Sequence, residues 1–162
     1  MKTIEKLLNL ESQRKYVFHG SPSGNIESLE PRQGTHIPDL TKPTESILDG
    51  RPAVSATPFV ELAVFRAIIN DKTIPINHSS GFGITNGEKH FSVSSVDVLE
   101  HAKGKSGYVY VFDKKDFEPY DREDEPKTDN MEWRAYTGVK PVDIIEVTFD
   151  DLPFPNRIEV GE

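Results

Sequence analysis

The sequence predicts an α+β fold of short strands, few short helices and long loops. Three observations carry that prediction. Gly107-Tyr108-Val109-Tyr110-Val111-Phe112 is aromatic and β-branched almost throughout, the clearest strand in the chain. Thr57-Pro58, followed by Leu62, Ala63, Phe65, Ala67, Ile68 and Ile69, has the opening and the apolar side of a helix. From Gly20 to Arg51 the chain is rich in Pro, Gly, Ser and Thr without periodicity, and excursions of that length are often binding loops.

A chain of 162 residues fits one domain with one sizeable core. We divide it into an N-terminal helix (1–14), a core (15–150) and a C-terminal tail (151–162). Residues 2–13 predict a short amphipathic helix with Ile4, Leu7, Leu8 and Leu10 towards one face. A strand at 15–19 follows, and it delivers His19-Gly20-Ser21 just before the turn formers Pro22-Ser23-Gly24-Asn25. Pro52 to Thr57 is a short buried strand of small residues. Thr57 then suits a helix N-cap, Pro58 the first turn, and Glu61 the helix's positive end, with the helix running to about Asn70.

A second irregular stretch after Ile74 contains His78 and Gly81-Phe82-Gly83. A strand is expected near 90–99, where Phe91, Val93 and Ser95 alternate with smaller residues before Val96 and Val98. Beyond the 107–112 strand lie an acidic loop (121–126) and two more strands, Met131 to Tyr136 and Ile144 to Phe149, with Pro141 between them.

Composition excludes several function classes. Hydrophobic residues make up 35%, charged residues 28%, and mean hydropathy is −0.53, so the chain is polar but not of the disordered type. Net charge is −8, and no basic run exceeds the pairs Arg14-Lys15 and Lys114-Lys115, so strong duplex nucleic-acid binding is not expected. A small anionic ligand held by a few local groups remains compatible with that charge. The absence of cysteine excludes disulfides, thiolate catalysis and Cys-based metal sites. With no apolar stretch of membrane-spanning length and no signal-peptide core, the expectation is a soluble, cytoplasmic protein without a membrane partner. The sequon Asn77-His78-Ser79 then carries no meaning. Gly-x-Ser-x-Gly, Walker, Gly-x-Gly-x-x-Gly and His-Glu-x-x-His motifs are missing, and histidines at 19, 36, 78, 90 and 101 do not have the spacing of a compact metal site.

Three segments occur in an order that resembles the ADP-ribosyltransferase superfamily, in particular its poly(ADP-ribose)-polymerase-like His-Tyr-Glu branch. They are the strand ending in His19-Gly20-Ser21, the strand Val54-Ser55-Ala56-Thr57 running through Pro58 into Glu61-Leu62-Ala63-Val64-Phe65, and the strand opening Glu132-Trp133-Arg134-Ala135-Tyr136. The likeness spans residues 16 to about 149, and each motif alone is weak. It implies split antiparallel β-sheets with NAD, as substrate, in the cleft between them, and ADP-ribose transfer to an acceptor left open among protein, nucleic acid and small molecule.

The resemblance also implies roles. His19 would bond an adenosine-ribose hydroxyl, Gly20 would offer backbone N–H and C=O to the nicotinamide carboxamide, and Ser21 would add a hydroxyl there. Glu132 would bond the 2′-hydroxyl of the nicotinamide ribose and stabilise developing positive charge. Phe65 would stack on the nicotinamide, Arg32 would meet the pyrophosphate, and Ser55 and Thr57 would border the cofactor from the second strand. Ser55 stands where the family carries its tyrosine, so Phe59, Phe82 or Tyr136 would have to complete the aromatic clamp. Asn130, two residues before Glu132, leaves acceptor chemistry open.

Plainer readings stand beside these. His19 also reads as a packed or surface histidine, and Glu132 as an ordinary surface carboxylate in an exposed pair with Arg134 or Lys140. Phe65 reads more simply as a core residue of an amphipathic helix, since stacking requires a pocket beside it, and Tyr108 and Tyr110 alternate with core positions. Three alternative functions follow. One is a catalytically degenerate binding module. Another is an NAD-using RNA 2′-phosphotransferase, a branch that leans on several arginines near the ligand, for which this acidic chain offers few candidates. The third is a glycosidase pairing Glu132 with an acid from 121–129.

Overall fold

The fold of the computed structural model, which describes residues 1–33, 35–36, 41, 47–48, 51–120, 131–153 and 157–161, is α+β. In chain order the elements are α1 (Thr3–Ser12), β1 (Tyr16–Ser21), β2 (Thr35–His36), β3 (Ile47–Leu48), β4 (Val54–Ala56) and α2 (Val60–Ile68). They continue with β5 (Ser80–Thr85), β6 (Glu88–Val93), α3 (Val96–Ala102), β7 (Ser106–Asp113), β8 (Glu118–Tyr120), β9 (Glu132–Ala135), β10 (Asp143–Thr148) and β11 (Ile158–Val160). No helix among the described residues is long and apolar enough to cross a membrane.

Two antiparallel sheets, β1-β7-β10 and β4-β9-β8, position the site. They touch where Phe18 of β1 and Thr57, just after β4, exchange both backbone hydrogen bonds at 2.7 and 2.9 Å. This is the one bridge between β1 and the β4 segment among the described residues, and past it, at His19 and Gly20, the sheets part. A third sheet, β11-β6-β5, lies apart from this junction, and β2 pairs with β3.

Side chains alternate along β1 and β7 into two cores. Phe18, Val109 and Val111 join the larger core with α2, Phe91, Val93 and Val147. Val17, Tyr110 and Phe112 face the smaller one, with Val54, Ala56, Phe117, Ala135 and Val139. The Tyr110 hydroxyl is satisfied by the turn after β1, donating to the Ser23 carbonyl and accepting from the Ile26 N–H.

Helix α2 is buried nearly all round; only Glu61 and Arg66 interrupt its run of buried residues. Two strand glycines let it lie this close. A Cβ on Gly20 would fall 2.0 Å from the Ala63 carbonyl oxygen, and one on Gly107 would fall 2.1 Å from that of Ala67. The helix starts at Val60, later than Pro58 suggests. Its cap is remote: Glu11 of α1 accepts the Val60 N–H at 2.6 Å, while Thr57 Oγ1 takes only the Phe59 N–H at 3.1 Å. Glu61 bonds Lys89 at 3.2 Å and Arg157 at 2.8 Å, tying α2 to β6 and to the segment before β11.

Four sequence expectations need correction. The Gly81-Phe82-Gly83 stretch is strand β5, joined to β6 by an Asn86-Gly87 turn whose φ values of 53° and 79° suit that pair. Val96 and Val98 lie in α3, not in a strand continuing from Phe91. The C-terminal tail contains β11, which pairs in parallel with β6. Leu8 of α1 is 38% exposed, whereas Leu7 is buried and Ile4 and Leu10 pack on the core. The acidic loop 121–126 lies outside the described residues.

Candidate functional site

Where the sheets part, a cleft of about 590 Å³ opens. His19 and Gly20 of β1, Ser55 and Thr57 on and after β4, and Glu132 and Arg134 of β9 line one side. Leu62, Ala63 and Arg66 of α2, Phe82 of β5 and Arg32 of the long loop complete it.

His19 Nδ1 lies 2.8 Å from the Ser55 carbonyl oxygen. A carbonyl only accepts, so the bond assigns the proton to Nδ1 and leaves Nε2 as an acceptor in the neutral ring. Burial pulls the imidazole below its usual pKa of 6.5; the Ser55 carbonyl opposes this, and the charge of Arg32 adds to it. His19 is therefore neutral at pH 7.

Gly20 follows from strand alternation. Phe18 turns its N–H and C=O to Thr57, away from β7. Two residues on, Gly20 turns its own groups the same way, but β1 forms no bridge with β4 there. The Gly20 backbone donor and acceptor thus face the cleft. Its missing side chain serves α2, as the close approach to Ala63 shows.

Glu132 is fixed from two sides. Its Oε2 accepts from Ser55 Oγ at 2.9 Å and from Arg134 Nε at 2.7 Å. The Glu132 and Arg134 side chains are 16% and 6% exposed, so this pair forms part of the cleft wall, unlike the exposed pairing anticipated for an ordinary carboxylate. Arg134 also lays its guanidinium 3.6 Å over the Tyr120 ring. Ser55 consequently joins the two principal residues, its carbonyl on His19 and its hydroxyl on Glu132. Nothing local in the sequence encodes a bond between residues 77 apart.

Of the residues singled out from sequence, His19, Gly20, Arg32, Ser55, Thr57 and Glu132 line the cleft. Two do not. Phe65 is completely buried, packed on Phe82 and Phe91 with ring centroids 6.1 and 5.2 Å away, so its expected stacking role is corrected to a core role. Ser21 is 8% exposed, and its hydroxyl accepts the Ser23 N–H at 3.1 Å, holding the turn instead of lining the cleft. Among the clamp candidates Phe82 is at the cleft, Tyr136 lies under Arg51 at 3.6 Å, and Phe59 packs against the core. Asn130 and the acids of 121–129 lie outside the described residues.

Arg66 was not anticipated. Its signal was available, since it is the one basic residue in the apolar helix Val60–Ile68. Neither protein-family models, nor curated proteins, nor solved structures match the chain.

Proposed function

We propose that the cleft binds NAD and that the protein is an ADP-ribosyltransferase-like enzyme. One observation carries this: His19, Gly20 and Glu132, from strands far apart in sequence, face a single cleft, with Ser55 bonded to both side chains. The cleft's volume falls within the range of about 300–1,000 Å³ common for small-molecule sites. Neutral His19 offers an acceptor at Nε2 for a ribose hydroxyl. Gly20 offers the donor–acceptor pair that a carboxamide requires. Phe82, in place of Phe65, supplies an aromatic face, and Arg32 a cation for the diphosphate.

In the reaction, the bond from the ribose anomeric carbon to nicotinamide breaks and its electron pair leaves with nicotinamide. The resulting oxocarbenium carbon is captured by a lone pair of the acceptor, which gives up its proton. Glu132, held by Ser55 and Arg134, would take a hydrogen bond from the 2′-hydroxyl and oppose the positive charge. Titration of the folded protein with NAD, followed by calorimetry or NMR, tests binding. No binding at about millimolar NAD overturns the proposal. Glu132→Gln separates enzyme from binding module: an enzyme loses nicotinamide release by orders of magnitude while retaining NAD, and a degenerate module changes little.

One observation favours a second reading, the RNA 2′-phosphotransferase-like use of NAD. The sequence offered few arginine candidates, yet Arg32, Arg66 and Arg134 all border this cleft. NAD-dependent removal of a 2′-phosphate from a short RNA, absent in Glu132→Gln, would select it.

A further inference from the structure

Arg66 is a half-buried cation whose hydrogen-bond and ring partners among the described residues are all neutral. Its Nη1 donates to Ser80 Oγ at 2.9 Å and to the Ile69 carbonyl at 3.4 Å, and its guanidinium lies 4.8 Å over the Phe82 ring. No carboxylate pairs with it among the described residues, and its Nε–H and Nη2 donors have no protein acceptor there. Asp71, whose charge it feels, is fully exposed and lies 3.8 Å from His78. Burying a guanidinium without a counter-charge costs free energy, and burial lowers the Arg66 pKa accordingly.

Such a residue bordering a ligand-sized cleft calls for an anion from outside the protein. Exposed Arg32 also borders the cleft, with no carboxylate partner among the described residues, though exposure makes that less telling alone. Two such cations suit a group of more than one negative charge, and the planar fork of Arg matches phosphate oxygens in pairs. The corner is also preorganised. Asn70 caps α2 through its Nδ2 on the Arg66 and Ala67 carbonyls, and stacking on Phe82 restrains the guanidinium.

We propose that Arg66, steadied by Ser80 and Phe82, forms a phosphate subsite at the α2–β5 end of the cleft. The subsite belongs to the same cleft as the NAD reading but does not depend on it. Its phosphoryl group comes either from the dinucleotide's diphosphate or from a phosphorylated acceptor.

The test is titration of the wild-type protein with inorganic phosphate and pyrophosphate, following arginine Nε–H signals by NMR and affinity by calorimetry. The Arg66 signal is expected to shift, and Arg66→Gln to weaken pyrophosphate binding by about 10- to 100-fold, with Arg66→Lys in between. An unmoved Arg66 signal in the folded wild type, or undiminished pyrophosphate affinity in folded Arg66→Gln, overturns the proposal. A purely structural Arg66 would change stability and leave the wild-type signal still, so a misfolding variant does not remove the test. NAD that displaces phosphate, and binds more weakly to Arg66→Gln, assigns the subsite to the dinucleotide. Phosphate that still binds the NAD-saturated protein assigns it to the acceptor. If pyrophosphate shifts Arg66 but NAD does not bind, the subsite stands and the NAD reading falls.

Discussion

Gly20→Ala is expected to destabilise the fold before any ligand is considered. The new Cβ would stand 2.0 Å from the Ala63 carbonyl oxygen and 2.7 Å from the Ala67 nitrogen. Both are backbone atoms of α2, so no side-chain rotation relieves the contact, and the helix would have to retreat by more than an ångström. Retreat disturbs the larger core, because α2 carries seven buried side chains into it. Overpacking of this kind costs about 1–3 kcal/mol, and a contact this close to rigid backbone belongs at about 3 kcal/mol or above. For a chain of this size that lowers the melting temperature by roughly 6–12 °C. Urea and thermal unfolding followed by circular dichroism measure it, with Gly107→Ala (2.1 Å from the Ala67 carbonyl oxygen) as the matched case on β7. A Gly20→Ala protein within about 0.5 kcal/mol of wild type would refute the packing account and return this glycine's role to the ligand alone.

Four further outcomes follow from the same geometry. Glu11→Ala removes the remote cap on the Val60 N–H and is expected to cost about 1 kcal/mol in urea unfolding. Burial depresses the His19 pKa, so the unfolded chain takes up its proton first as pH falls below 6.5; stability declines there until the folded pKa is passed, is unaffected by this group above 6.5, and loses that slope in His19→Gln. Ser55→Ala frees Glu132 Oε2 from one of its donors and is expected to lower NAD cleavage about tenfold, with unfolding changed by about 1 kcal/mol, measured as nicotinamide release and urea midpoint. Phe65→Ala should lose about 3–5 kcal/mol of stability, whereas Phe82→Ala should lose less stability but more NAD affinity, by unfolding and calorimetry.

What was legible in the sequence tracks how each element is buried. β7 was plain because it is the central strand between β1 and β10 and faces a core on both sides, which demands apolar residues at nearly every position. The same all-round burial hid the role of Phe65: when both sides of α2 are apolar, periodicity cannot say which aromatic borders a cleft. β5 was concealed by its glycines, which resemble loop residues. A Cβ on Gly83 would stand 2.7 Å from the His90 ring, an exposed side chain across the hairpin. The Asn86-Gly87 pair was the signal that would have revealed that hairpin. α3 and β11 are too short, at seven and three residues, for a pattern to emerge. His19 and Glu132 were legible as motif positions, but their coupling through Ser55 arises only when β4 pairs with β9 and its end meets β1.

Charge connects the composition to the cleft. The chain carries a net charge of −8, yet among the described residues its cleft sets Arg32, Arg66 and Arg134 against the single carboxylate of Glu132, with His19 neutral. The local field there opposes that of the molecule as a whole. Over the distance at which an anion approaches, salt screens the overall repulsion, since the Debye length is about 8 Å at physiological ionic strength. Inside the cleft, half-buried Arg66 and buried Arg134 are screened much less than exposed Arg32. A ligand with one or two phosphates can therefore be held, whereas a nucleic-acid duplex, whose affinity rests on many surface contacts, meets a surface of its own sign. Affinity for such a small anion should depend weakly on salt, because few counterions are released and the bulk repulsion relaxes as salt rises. A steep fall in pyrophosphate affinity with salt would place the anion on exposed Arg32 instead of within the pocket that Arg66 borders.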